Sequence, residues 1–146
     1  MKLPFCLLLL TALACPLAQA TTLAPGNWQT TVTMSMPGMP FTPPPRTLTH
    51  CLTPPKGQTK PSADTMKDMA KQMQRSGCEM QDFTFKDNSG HWKMVCSGQH
   101  PGTGEAWITY ESSKHYTSKT VMTMHDTGGG KMTISSDSKW LGPCNP

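Results

Sequence analysis

What the chain is short of constrains it first. Beyond residue 20 no run is apolar enough to span a bilayer, so the chain is not expected to be transmembrane. Large aliphatic side chains are scarce and aromatics make up only 7% of the residues, so the core has to be a modest one. There is no Gly-x-Ser-x-Gly, no His-Glu-x-x-His, no phosphate-binding glycine loop and no dinucleotide fingerprint. With those missing, no catalytic residue is assigned and the expectation is a protein that is not an enzyme. The basic residues are scattered, with no stripe of Lys and Arg interleaved with aromatics, which argues against nucleic-acid binding. His50, His91, His100, His115 and His125 are dispersed, with no pair at i, i+4 on a helix, and no cofactor is expected. The formal charge is +4, or about +3 without Lys2, enough for only weak attraction to an anionic surface.

What is present begins with an export signal. Lys2 opens it, residues 3–17 are apolar, and Ala18-Gln19-Ala20 is a small-x-small cleavage site. Residues 1–20 therefore read as a secretory signal peptide cleaved after Ala20, and 21–146 as a single β-rich domain. Cys15 raises a lipoprotein alternative. It is disfavoured because Ala12, at the third position upstream, is not the large aliphatic that lipid attachment usually needs.

Beyond the signal, alternation dominates. Trp28, Thr30, Val32, Met34 and Met36 fall on one side of a strand, with Gln29, Thr31, Thr33 and Ser35 on the other. Residues 46–52 form a second strand after the Pro43-Pro44-Pro45 run, which cannot donate to a sheet. One helix is expected after Pro61, with Ser62 as N-cap, Asp64 near its start and Gly77 as its stop. Met66, Met69, Ala70 and Met73 make its apolar stripe. The stretch from Cys78 to Cys96 reads as two strands around the turn Asp87-Asn88-Ser89-Gly90. Three more strands follow, over 103–112, 115–125 and 131–141. The expected fold is mainly β (α+β): a curved antiparallel meander of about seven strands, able to close partly into a barrel, with one methionine-rich helix against it.

Four cysteines follow the signal, an even number in an exported chain, and three pairings are open. Cys78 and Cys96 flank a hairpin and are neighbours before any tertiary argument. That leaves Cys51 with Cys144. The hairpin carries a register conflict. Setting Cys78 opposite Cys96 puts Met80 opposite Met94 and Asp82 opposite Trp92. Matching aromatics instead puts Phe85 opposite Trp92 and Phe83 opposite Met94. The two differ by an odd step, so either Phe83 and Phe85 point away from the Trp92 face or a bulge lies between Cys78 and Phe83.

Methionine is the compositional anomaly, at 12 residues. Thioethers bind Cu(I), so Met34, Met36, Met122 and Met124 are the candidate ligands of an alternative, metal-binding reading. His125 is a poor third ligand beside Met122 and Met124, because it faces the other way on a strand.

The order Pro25-Gly26-x-Trp28, Cys51-Leu52-Thr53-Pro54, a helix, Cys78, Trp92, Cys96, Gly102-x-Gly104 and Gly142-Pro143-Cys144 resembles domain-of-unknown-function family 3617. Gln29 departs from that pattern, where the family often carries an acidic residue. The resemblance implies an exported protein of a Gram-negative bacterium, located in the periplasm and held by two bridges, and it implies no activity. The expected function is a non-catalytic, envelope-associated module that binds an apolar ligand or an envelope protein. The alternative is a methionine-rich metal-binding protein of the envelope.

Overall fold

The computed structural model describes residues 22–38, 40–53, 63–98, 100–126 and 129–144. The elements run β1 (Gly26–Ser35), β2 (Arg46–Leu52), α1 (Ala63–Arg75), β3 (Cys78–Lys86), β4 (Ser89–Cys96), β5 (Gly102–Ser112), β6 (His115–Met124) and β7 (Lys131–Gly142). The seven strands form one open antiparallel sheet in the order β2-β1-β7-β6-β5-β4-β3. β2 and β3 are its two edges and do not pair with each other, so the sheet stays open instead of closing into a barrel. The expected N-cap Ser62 lies outside the described residues.

The order has a simple construction. β1 and β2 form a first hairpin, and α1 separates it from a meander that starts at β3 and returns strand by strand to β7. There β7 docks on the free side of β1, from Asn27 opposite Gly142 to Ser35 opposite Thr133. The start and end of the fold are thus neighbours in the sheet, and the Cys51–Cys144 disulfide lies beside that seam. Cys51 is the cross-strand partner of Asn27, which in turn faces Gly142.

The central hairpin resolves its register conflict by a bulge. Cys78 faces Cys96, Met80 faces Met94 and Gln81 faces Lys93. The pairing then shifts, so that Thr84 faces His91 and Phe85 faces Gly90. The extra residue is accommodated around Asp82, whose φ of 51° lies in the left-handed region that Asp tolerates better than most residues. After this step Phe83 and Phe85 share the face of Trp92, and Phe83 sits 6.3 Å from the Trp92 ring. The aromatic-matching register does not form. The turn is also shorter than its sequence implies. Asp87 and Asn88 have φ of 49° and 61°, the two positive values of a type I′ connection, and Ser89 and Gly90 already belong to β4.

Alternation sorts the sheet into two faces. On β4, Gly90, Trp92, Met94 and Cys96 are buried while Ser89, Lys93 and Val95 are exposed. The buried face carries the core of Trp92, Met94 and Ala106, and Met69 and Met73 of α1 pack against it together with Met80, Phe83, Ile108 and Met122. This explains the helix in physical terms: its methionine stripe has a sheet face to cover. The opposite face is polar, with Thr31 facing Thr47 and Asp137, and Lys93 facing Glu105.

Candidate functional site

The buried face is built from different materials at its two ends. Near the start of β1 it is aromatic. Trp28 is fully buried, and its ring lies 5.3 Å from Tyr116. Tyr116 lies 5.9 Å from Tyr110, which lies 6.0 Å from Phe85. Burial, and secondly the neighbouring Tyr116, push the Tyr110 phenol above its ordinary value of 10.0. Hydrogen bonds fix this end. Trp28 Nε1 donates to the Ala24 carbonyl and Trp140 Nε1 to the Pro25 carbonyl, each at 3.0 Å. Gly26 is obligatory here. Its φ is 142°, and a Cβ would collide with the Gly142 carbonyl oxygen and the Trp140 indole nitrogen. The short Pro25-Gly26-x-Trp28 motif is thus the latch between the two ends of the chain. Ser138, fully buried, is satisfied by Thr30 at 2.9 Å.

The far end is made of sulfur and glycine. One cross-strand row runs Met132, Met122, Gly104, Met94, Met80 across β7 to β3. The next runs Met124, Gly102, Cys96, Cys78 across β6 to β3. Gly104 makes room for its neighbours: a Cβ there would meet the Val121 carbonyl oxygen at 2.7 Å, Met122 Cγ at 3.0 Å and Met94 Cγ at 3.3 Å. Beside these rows lies a cavity of about 800 Å³ between the C-terminal end of α1 and the sheet. Met122, Met124 and Met132 wall it, the Cys78–Cys96 disulfide borders it, and Arg75 and His100 also line it.

The cysteine pairs expected from sequence both form, Cys78 with Cys96 and Cys51 with Cys144. Two of the four candidate methionines line the cavity. Met122 and Met124 reach the cavity, whereas Met34 is paired with Ile134 along β1 and Met36 lies beyond the end of that strand; neither lines it. Met132 and His100 take part instead, unforeseen from sequence. Met132 could have been found by counting the register of the last hairpin back through its glycine turn, which puts it opposite Met122. His100 precedes β5 in a loop and had no periodic signal. Its Nδ1 lies 3.1 Å from the Asp126 carboxylate. His125, as its position suggested, is not in the cavity wall.

Two of the other histidines take separate partners. His91 stacks on Trp107 and sits 3.4 Å from Glu105, and His115 sits 3.4 Å from Asp137. Among the described residues, no three of His, Cys, Asp and Glu converge in a metal-holding group. On the polar face, Lys93 lies 2.9 Å from Asp82, and the hydrogen bond to that carboxylate raises its pKa. One buried donor stands out: Trp92 Nε1 has no hydrogen-bond partner among the described residues. A buried donor left unpaired costs on the order of 1–3 kcal/mol.

Fold and disulfides together define a small β domain stapled by two disulfides. The family model of DUF3617, a protein of unknown function, matches residues 23–144, and the chain belongs to that family. Comparison with curated proteins and with solved structures finds no match. Among the described residues no helix is long and apolar enough to cross a membrane.

Proposed function

We propose that the protein is an exported, non-catalytic binding module of the periplasm that holds an apolar ligand in the methionine-walled cavity. The observation that carries this reading is the cavity itself: about 800 Å³, walled by Met122, Met124 and Met132 at one end of the sheet. That volume falls in the range of small-molecule sites, which are mostly apolar with a few polar groups at defined places. Methionine walls suit a ligand of variable shape, because the unbranched thioether side chain adapts its rotamers to what it touches. Arg75 and His100 supply the polar margin, so an apolar chain ending in an anionic group is the ligand chemistry favoured. The two disulfides fit an oxidising compartment.

The test is a titration of ligand-stripped protein with a fluorescent fatty-acid analogue. Saturable binding is expected, weakened by Met124→Glu and Met132→Glu and little changed by Thr33→Glu on the opposite face. Absence of saturable binding, or equal loss in all three variants, contradicts the assignment.

A further inference from the structure

The material of the cavity wall calls for its own explanation, because an apolar wall does not require sulfur. After the first twenty residues the sequence holds 11 methionines against 9 Leu, Ile and Val together. In the sheet they are not dispersed. Two adjacent rows, from Met132 to Met80 and from Met124 to Cys78, contain nothing but methionine, cysteine and glycine. Directly opposed residues of antiparallel strands have Cα atoms about 4.5–5.5 Å apart, and same-face neighbours on one strand about 7 Å. Met122 and Met132 are such an opposed pair, and Met124 is the same-face neighbour of Met122. All three line the cavity, so their thioethers can meet around one point inside it.

A second observation concerns His100, which lines the same cavity. Its Nδ1 is engaged by Asp126 at 3.1 Å. Metal-binding histidines commonly have one ring nitrogen held by a carboxylate in this way, which leaves the other to coordinate. Thioether sulfur is the donor that selects Cu(I) over harder cations, and imidazole nitrogen is a ligand that copper also accepts.

We propose that Met122, Met124 and Met132, with Nε2 of His100, form a binding site for a soft monovalent cation, Cu(I) or its redox-silent analogue Ag(I). The site does not depend on the apolar-ligand reading, and it is tested on ligand-stripped protein. Met34 and Met36 stand outside it.

The experiment is an anaerobic titration with Cu(I) against a chromogenic chelator, alongside Ag(I) titration of protein labelled at its methionine methyl groups. One equivalent is expected to bind more tightly than about 1 μM. The methyl signals of Met122, Met124 and Met132 should shift together, and those of Met34 and Met36 should stay in place. Replacing Met122, Met124 and Met132 together by Leu keeps the volume of the wall and should weaken binding by at least roughly tenfold. Should that variant fail to fold, the methyl shifts in the unaltered protein and the single Met124→Leu variant decide. Binding weaker than about 1 μM, shifts at other methionines, or unchanged affinity in the Leu variants overturns the site.

Discussion

The aromatic and sulfur ends of the buried face share one sheet but solve different problems. At the aromatic end the side chains are stiff and their polar atoms are assigned: Trp28 and Trp140 donate to fixed carbonyls, and Thr30 satisfies Ser138. At the sulfur end the side chains are flexible and pack closely against glycine backbone; between the two ends, beside Ala106, the Trp92 indole donor has no partner among the described residues. A sheet needs one well-specified region to fix which strands pair, and the aromatic end supplies it where β1, β2 and β7 converge. The other end is then free to carry an adaptable surface. Specification and adaptability are separated along the strands instead of being mixed.

The largest expected difference is between the disulfides. Cys51–Cys144 closes 93 residues at the aromatic end and Cys78–Cys96 closes 18 at the sulfur end. In the loop-entropy picture, removing the first pair by Cys→Ala changes costs about 4.5 kcal/mol and removing the second about 3 kcal/mol. Urea unfolding of both double variants checks the order, and equal losses would break the link between the latch and stability.

Next come the two buried tryptophans. Trp28→Phe leaves the Ala24 carbonyl without its donor and opens a void, for an expected loss of about 2–3 kcal/mol. Trp92→Phe also opens a void, but it deletes a donor that has no partner among the described residues, so the loss should be about 1 kcal/mol. Thermal unfolding distinguishes them, and a larger effect at Trp92 would reverse the assignment of the well-specified end. Methionine exchanges are milder still. Met132→Leu should cost less than about 1 kcal/mol, since unbranched and branched side chains of similar volume exchange readily in such surroundings.

The smallest effect is in pH. The Tyr110 phenol is raised above 10.0, so its folded form holds its proton more tightly than the unfolded chain does. The stability linked to it is fully present below the unfolded value of about 10 and is lost as pH rises through the raised folded value. Tyr110→Phe should flatten that alkaline decline, read by unfolding at a series of pH values above 9; an unchanged slope would remove Tyr110 as its source.

Much of this division could be read from the residues. Period-two alternation located the strands and put Ala106, Ile108 and Tyr110 on one face, because one face is buried and the other wet. The cysteine pairing followed from a hairpin flanked by cysteines. The bulge showed itself as two incompatible registers, although nothing local marked Asp82 as its position: a left-handed Asp has no strong sequence signature. The docking of β7 on β1 joins residues more than 90 positions apart, and local pattern carries no information about it. Spacing along the chain marks two separate Met-x-Met pairs, Met34 with Met36 and Met122 with Met124, and does not say whether they meet, whereas Met132 follows as the partner of Met122 once the last hairpin is folded about its glycine turn.

The most direct measurement of the central claim is mass spectrometry of the protein isolated intact from its native envelope, beside the Met124→Glu, Met132→Glu double variant. The account predicts an apolar ligand that reappears in independent preparations of the unaltered protein and is missing from the variant. Repeated isolation without any bound molecule, or the same molecule carried equally by both proteins, would contradict the assignment of the sulfur end as the binding site.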